Sequence, residues 1–359
     1  MDTLHEVTHS ANIALNENET AVVIIDQTLL PNELLYRTIR TKEEAYHAIK
    51  TLQVRGAPAI GIFAGYCMYI FSKEWTDRSY EDFYEEYSNL SIYLNSSRPT
   101  AVNLSWALQR MKRIVEENRD RDLKEIVSLL GKEAKAIHEE DIAMCYAISD
   151  HGLSLLKEGD TILTHCNTGP LATSRYGTAI GPVLLGKERG INIKVFADET
   201  RPLLQGARLT SYELERAGVD VTLICDNMAS IVMKNGWIDY VFFGCDRIAA
   251  NGDVANKIGS SGLAIIANYY HIPVYSVGPS STIDLSTPTG NDIRIELRDP
   301  DEIKTLWYEK PMALPETKCY NPSFDVTDHS LLAGIITEKG IVRPPFDVNL
   351  KKLFGKEKE

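Results

Sequence analysis

The rhythm of hydrophobic positions changes about 160 residues into the chain, and the two parts predict different architecture. In the first part, Ala21-Val22-Val23-Ile24-Ile25-Asp26 and Leu34-Leu35-Tyr36-Arg37-Thr38-Ile39 predict strands joined through a Pro31-Asn32 turn. Thr41 with Glu44 three positions on is a capping-box signature, and it predicts a helix through about Val54. Helical spacing continues over about 57–73, 80–95 and 100–118. A longer pattern starts near Asp122, where Leu123, Val127, Leu130, Ala134 and Ile137 recur at spacings of four and three. Charges such as Lys132-Glu133 and Glu139-Glu140-Asp141 predict a solvated face there, with His138 exposed among them.

Beyond that point short apolar runs alternate with helix-length segments: Thr161–Cys166, Ile191–Ala197, Val221–Cys225, Tyr240–Cys245 and Val274–Val277. Continuous apolar strands are buried on both faces, so they predict a parallel sheet with helices on either side. The expected class is α/β. A doubly wound, Rossmann-like parallel-sheet domain should occupy 151–359, preceded over 1–150 by a smaller, mostly helical domain carrying a short antiparallel sheet. The helix around 122–156 fits either side of that boundary, and the charged tail Lys351–Glu359 is expected to fray.

A length of 359 residues suits about two domains at roughly 150 residues each. With 44% apolar and 25% charged residues the composition is that of a globular chain, which argues against disorder. A net charge of −12 with no basic stripe opposes nucleic acid as a partner, because the chain would have to overcome phosphate repulsion. No apolar run approaches the ~18 residues of a membrane span, so no membrane partner is expected. The amino terminus has neither a basic start nor an apolar stretch, which predicts no secretory signal and a cytoplasmic location. Six cysteines (Cys67, Cys145, Cys166, Cys225, Cys245 and Cys319) are scattered without a C-x-x-C pair, against zinc ribbons and thioredoxin-like redox motifs. In a reducing compartment Cys67, Cys145, Cys225 and Cys319 read as small buried hydrophobes, and Cys245 as core.

Ligands of such a sheet collect beyond the carboxyl ends of its strands, and four polar clusters fall there. In Thr164-His165-Cys166-Asn167-Thr168-Gly169-Pro170 a strand ends and a helix is expected to begin. A cysteine there meets unpaired N–H groups and the positive end of a helix dipole, which favour thiolate. The other reading is a structural cysteine at a tight turn. His165 is expected to point to the opposite face from Cys166. The second cluster, Asp198 to Arg208, reads as a helix N-cap with charge pairs. In the third, Gly244 to Asp253, Asp246 lies at a strand end. It is either a general acid or base with its pKa raised by partial burial, or the cap of a following helix. The fourth, Asn256-Lys257-Ile258-Gly259, is expected to open a helix, where a lysine opposes the dipole and so hints at a nearby anion. Arg55-Gly56-Ala57 and Ser97-Arg98-Pro99-Thr100 each place an arginine beside small or turn-forming residues just before a helix. Its fork suits phosphate, although a surface salt bridge is the commoner fate of one arginine. Neither a glycine-rich dinucleotide fingerprint nor a Walker motif occurs. Cofactor-free chemistry on a small phosphorylated substrate is the expectation.

Taken in order, these motifs resemble the methylthioribose-1-phosphate isomerase family, kin to the regulatory subunits of the eukaryotic exchange factor for translation initiation. The resemblance runs through Arg55-Gly56-Ala57-Pro58-Ala59, Asn95-Ser96-Ser97-Arg98-Pro99-Thr100, Cys166-Asn167, Thr173-Ser174-Arg175-Tyr176-Gly177-Thr178-Ala179 and Glu199-Thr200-Arg201-Pro202. It continues through Gln205-Gly206-Ala207-Arg208-Leu209-Thr210, Asp246-Arg247-Ile248-Ala249, Asn251-Gly252-Asp253, Asn256-Lys257-Ile258-Gly259, Asn321-Pro322-Ser323-Phe324-Asp325-Val326-Thr327 and Gly334-Ile335-Ile336-Thr337-Glu338-Lys339-Gly340. It implies conversion of 5-methylthioribose 1-phosphate to the ribulose 1-phosphate in methionine salvage, by a two-domain homodimer without metal or organic cofactor. By motif, Cys166 and Asp246 become the catalytic pair, and Arg55, Gly56, Ala57, Arg98, Gln205, Asn256 and Lys257 become substrate contacts. The regulatory subunits share the fold but not this pair, so its presence implies the enzyme and not a non-catalytic, nucleotide-sensing subunit. Family members often read Cys-Asn-Ala-Gly where this chain has Cys166-Asn167-Thr168-Gly169-Pro170. Relatives of similar sequence act on 5-deoxyribose 1-phosphate or ribose 1,5-bisphosphate, so the resemblance leaves the C5 substituent open among methylthio, deoxy and phosphate.

Overall fold

The computed structural model describes residues 12–99 and 101–355. The readings made above for the chain before residue 12, for Thr100 and for the last four residues lie outside the described residues. Two compact units form. Among the described residues, one holds everything up to Ala143 together with Pro170–Arg175, and the other holds Met144–Gly169 and everything from Tyr176 onward.

In the first unit β1 (Ile13–Leu15), β2 (Val22–Ile25) and β3 (Tyr36–Ile39) form an antiparallel sheet with β2 in the middle. The capping box is present at α1 (Lys42–Lys50): the Glu44 N–H donates to Thr41 Oγ1 and the Thr41 N–H donates to the Glu44 carboxylate, both at 3.2 Å. This helix stops short of Val54, and Leu52 takes a left-handed φ of 64°. Its successor α2 (Ala57–Ser72) carries no charged side chain and is buried without a break from Ala59 to Ser72. A helix apolar on all sides belongs in the middle of a core, and α3 (Tyr80–Ser96), α4 (Val102–Glu117) and the first part of α5 (Leu123–Leu153) contribute to the same hydrophobic cluster. His138 corrects the expectation of an exposed residue. It is half-buried, its Nδ1 lies 2.8 Å from the Tyr66 hydroxyl, and burial, helped by the charge of Arg175, lowers its pKa to about 4.

In the second unit seven strands form the large sheet: β4 (Thr161–His165), β5 (Lys194–Asp198), β6 (Val221–Ile224), β7 (Tyr240–Phe243), β10 (Val274–Val277), β13 (Gly334–Thr337) and β14 (Gly340–Val342). Their order is β14-β13-β10-β7-β4-β5-β6, with only β14 antiparallel to its neighbour. Adjacent strand residues enter different clusters, Ile162 and Phe242 one, Leu163 and Phe243 the other. One cluster takes Val183–Leu185 of α6 (Gly181–Glu188) and Leu214 of α7 (Ser211–Arg216). The other takes Val232 of α8 (Ala229–Lys234), Leu263 of α9 (Ser260–Tyr269) and Phe346 of α11 (Phe346–Phe354). The mixed α/β class with a large, mostly parallel sheet and a small antiparallel one is therefore the observed class.

A second, four-stranded sheet was not expected. It is formed by β8 (Arg247–Ala249), β9 (Val254–Lys257), β11 (Ile283–Asp284) and β12 (Phe324–Thr327), in the order β11-β8-β9-β12. A short helix, α10 (Asp301–Lys304), lies between the last two in sequence. Of the tail expected to fray, Lys351–Phe354 form the end of α11, whose buried residues Phe346 and Leu350 precede them, and the last four residues lie outside the described ones. Cys67 and Cys145 are buried as expected, but Cys225 and Cys319 are only partly so. Cys245 is partly exposed yet packs on the core, and burial of its thiol pushes its pKa up to about 12.

Candidate functional site

The candidate residues of the second unit gather where β4, β5 and β7 end. Cys166 directly follows β4, and Asp246 lies three residues beyond β7, the strand that pairs with β4. Gln205 follows β5 by way of the Asp198–Leu204 turn, and Asn256 and Lys257 are the last two residues of β9.

Cys166 has a left-handed backbone, φ 70°, a region that a residue with a Cβ enters at a cost. Its N–H donates to Thr200 Oγ1 (2.9 Å), and its carbonyl accepts from Thr210 Oγ1 (2.7 Å). Asn167 Nδ2 donates to Glu213 Oε2 (2.6 Å) and Thr210 Oγ1 (3.2 Å), and both acceptors are buried. Thr168 is fixed through its carbonyl, which accepts the Thr178 N–H at 2.7 Å. Gly177 must be glycine for this approach: its φ is 89°, and a Cβ there would sit 2.1 Å from the Thr168 carbonyl oxygen. The expected helix after Cys166 does not begin there. Only a three-residue 3₁₀ turn at Pro170–Ala172 precedes α6 at Gly181, so no α-helix dipole starts at the thiol.

His165, the last residue of β4, is 2% exposed. Its Nδ1 is 2.9 Å from Asp198 Oδ2 and its Nε2 is 2.8 Å from the Ile258 carbonyl. A carbonyl only accepts, so Nε2 carries a proton. Burial lowers the His165 pKa, but the hydrogen bond and charge of Asp198 outweigh it and the net direction is up. Burial raises Asp198 as well, against the opposing pull of His165. The second cluster is therefore not a helix cap with surface charge pairs. Asp198 is a buried partner of His165, and the chain beyond it enters a π-helical turn at Gly206–Thr210 before α7. The ligand atoms of His165, Asp198 and Asp226 lie close enough to surround a cation. His165 Nδ1 and Asp198 Oδ2 face each other and Asp226 accepts the N–H groups of Thr200 and Arg201, while the buried Asp198 Oδ1 has no hydrogen-bond partner among the described residues.

Three other expectations change. Asp246 caps no helix, because β8 follows it, and its own N–H donates to the Ala255 carbonyl at 2.9 Å. Its side chain is exposed, where partial burial was expected. Asn256 and Lys257 end a strand instead of opening a helix. The start of α9 is covered by Asp325, whose carboxylate accepts from the Gly259 (2.8 Å) and Ser261 (3.1 Å) N–H groups. The dipole argument for an anion beside Lys257 therefore falls. Its ammonium lies 4.9 Å from the centre of the Phe324 ring, and Asn256 Nδ2 donates to Ser260 Oγ. Gln205 is buried, and its Oε1 has no hydrogen-bond partner among the described residues.

Arg55, Gly56, Ala57 and Arg98 belong to the first unit. Gly56 is the N-cap of α2 at φ 95°, and a Cβ there would lie 2.3 Å from the Ala172 carbonyl oxygen. Ala57 opens α2, and Arg98 follows α3, both arginines being partly exposed. Sequence reasoning missed Thr200, Thr210 and Asp198 as the groups that hold the Cys166 turn. The one local signal was that all three lie within the second polar cluster or two residues beyond it.

Residues 53–344 match the model of the initiation factor 2 subunit family. A methylthioribose-1-phosphate isomerase of Symbiobacterium thermophilum is 58% identical over 347 residues, 97% of each chain. A 5-deoxyribose 1-phosphate isomerase of Petrotoga mobilis is 55% identical over 342 residues, 95% of this chain and 98% of the relative. Among solved structures, 5-methylthioribose 1-phosphate isomerase from Pyrococcus horikoshii superposes with a TM-score of 0.92 at 42% identity, covering 98% of this chain and 97% of that one. The translation initiation factor eIF-2B, subunit delta, from A. fulgidus gives 0.87 at 38% identity, covering 96% and 98%.

Proposed function

The chain belongs to the initiation factor 2 subunit family, and from that premise we propose that it is an aldose–ketose isomerase of ribose 1-phosphates carrying a methylthio or deoxy group at C5. The product is the corresponding ribulose 1-phosphate. One observation carries this reading: Cys166 and Asp246 follow neighbouring parallel strands in a chain whose near-full-length relatives bear isomerase names.

Phosphate on O1 blocks the free aldehyde on which ordinary aldose–ketose isomerases depend, so the ring must open with the phosphate attached. One acid at the ring oxygen and one group near C1 and C2 suffice, and Asp246 and Cys166 take those roles. A hydride shift from C2 to C1 is the favoured route, proton removal through an enolate-like species the alternative. Gln205, Asn256 and Lys257 contact the substrate. Arg55, Gly56, Ala57 and Arg98 are carried as substrate contacts by the family motifs alone. A Rossmann-like arrangement of the large sheet, a cytoplasmic location and a homodimer belong to the same proposal.

Cys166→Ser and Asp246→Asn are near-isosteric, so folding should survive while kcat falls by roughly 10²-fold or more, the scale of a positioned acid or base. The likeness to an initiation-factor subunit supplies the competing reading, a non-catalytic regulatory subunit. Near-normal turnover by either variant, or none by the wild type on any of the three sugar phosphates, would put that reading ahead.

A further inference from the structure

Thr200 and Thr210 have no side-chain role in the reaction described, yet their hydroxyls meet the two ends of one residue. Each hydroxyl donates one hydrogen bond and accepts another. Thr200 Oγ1 accepts the Cys166 N–H at 2.9 Å and donates to the Asp198 carbonyl at 3.1 Å. Thr210 Oγ1 donates to the Cys166 carbonyl at 2.7 Å and accepts from Asn167 Nδ2 at 3.2 Å. Both threonines are wholly buried, so water cannot take over these bonds. Cys166 between them holds φ 70°, which an L residue seldom adopts unless its surroundings over-determine it.

Thr200 is itself anchored. Its own φ is 65°, and its N–H donates to Asp226 Oδ1 at 2.7 Å, while the Arg201 N–H donates to Asp226 Oδ2 at 2.7 Å. One carboxylate thus clamps the turn that presents the Thr200 hydroxyl. The other hydroxyl stands on a turn fixed differently: a Cβ on Gly206, at the start of the π-helical turn, would fall 1.7 Å from the Asp198 carbonyl oxygen. That distance forces glycine at 206 and holds the turn against the end of β5.

We propose that Thr200 and Thr210 are positioning residues that hold Cys166 in its left-handed conformation and so aim its thiol, with Asp226 fixing Thr200. The proposal rests on the isomerase reading for its kinetic consequence but not for its structural one. A misaimed group slows the reacting step more than it weakens binding.

The test compares Thr200→Val and Thr210→Val, which keep the shape and lose the hydroxyl, with Thr200→Ser and Thr210→Ser, which keep the hydroxyl. Turnover is measured on 5-methylthioribose, 5-deoxyribose and ribose 1-phosphate derivatives, and Cys166 labelling by iodoacetamide is followed by peptide mass. The valine variants should lose about 10-fold or more in kcat with KM changed by no more than about twofold, and the serine variants should recover to within about threefold of wild type. Labelling at Cys166 should change in the valine variants and return in the serine ones. Folded valine variants with wild-type kcat and labelling overturn the proposal, and so do serine variants as impaired as the valine ones, since the methyl group would then be what matters. If the wild type turns over none of the sugars, the isomerase reading fails alone and labelling decides: altered and rescued by serine supports positioning, unaltered overturns it. Should Thr200→Val not fold, Thr210→Val carries the test, because its bond to the Cys166 carbonyl is separate.

Discussion

Asp198→Ala and Asp198→Asn should differ sharply in stability, and the difference should depend on pH. Asp198 and His165 are each 2% exposed, so solvent screening does not soften their interaction. Alanine leaves His165 Nδ1 buried with no acceptor, and breaking one side of such a pair costs about 3–5 kcal/mol. Asparagine is milder. The Ile258 carbonyl keeps the proton on Nε2, so a neutral His165 presents a lone pair at Nδ1 that accepts from the carboxamide N–H. A neutral hydrogen bond then replaces a charged one, at a loss of about 1 kcal/mol. The pH dependence follows from the direction of both shifts. Burial opposes a proton on His165, but the hydrogen bond to Asp198 prevails and its folded pKa lies above 6.5. Asp198 is raised as well, chiefly by burial. The folded chain thus binds protons more tightly than the unfolded chain. The stabilisation is fully present below the unfolded values and is lost as pH rises through the folded ones. Urea unfolding between about pH 6 and 9 can be followed at Trp237, which stacks on Phe196 of β5 and so reports on this unit. The advantage of wild type over Asp198→Asn should shrink across that range. An advantage that stays constant, or an alanine variant no worse than the asparagine one, would refute the reasoning.

Arg98→Ala and Lys257→Ala should mainly weaken substrate binding; unchanged KM in both would remove them from the site. Because a net charge of −12 opposes a second cationic pocket, kcat/KM should be higher for 5-methylthio- or 5-deoxyribose 1-phosphate than for ribose 1,5-bisphosphate. Side-by-side assays giving the reverse order would overturn the C5 assignment and leave the isomerase intact. Gly56→Ala should destabilise the first unit by about 3 kcal/mol, from the positive φ together with the backbone clash, and thermal unfolding of the purified variant reads this directly. Substrate deuterated at C2 and converted in ordinary water should keep its label at C1 of the product. Washout into solvent would decide for proton abstraction.

What could be read from the residues was what local chemistry determines. Thr41 and Glu44 supply both halves of their capping box, and Ile162-Leu163 or Val241-Phe242-Phe243 can only be strands buried on two faces. What failed depends on partners far along the chain. Val254-Ala255-Asn256-Lys257 shows no alternation and looked like the approach to a helix, yet it pairs with Phe324–Thr327, and Asp325 from that strand takes the helix start. His138 sits in a charged run, and Tyr66, its partner, is 72 residues away. Pro170 after a Gly looked like the first turn of a helix, and only three residues of 3₁₀ turn form. The candidate residues themselves were visible because strand ends are where turn-forming polar residues interrupt apolar runs; their supports were not, because Thr200 and Thr210 contact Cys166 across 34 and 44 positions.

The missing helix start bears on the chemistry. Thiolate at Cys166 had one local source of support, the positive end of a helix, and opposed to it stands the negative charge of a sugar phosphate. With α6 beginning only at Gly181, that support is gone. The groups seen holding the turn are the Thr200 and Thr210 hydroxyls, the Asn167 carboxamide and the Glu213 carboxyl. The ring of His165 spends Nδ1 on Asp198 and Nε2 on Ile258, so its proton is not offered to the thiol. If Cys166 stays a neutral thiol it is a poor base, and a poor base next to a C2–H bond favours moving that hydrogen as hydride within the substrate. Such a route returns the C2 hydroxyl proton to the Asp246 carboxylate left when the ring oxygen is protonated, and asks of Cys166 placement near C1 and C2; a cysteine pinned at both backbone ends in a strained conformation is suited to placement more than to proton transfer.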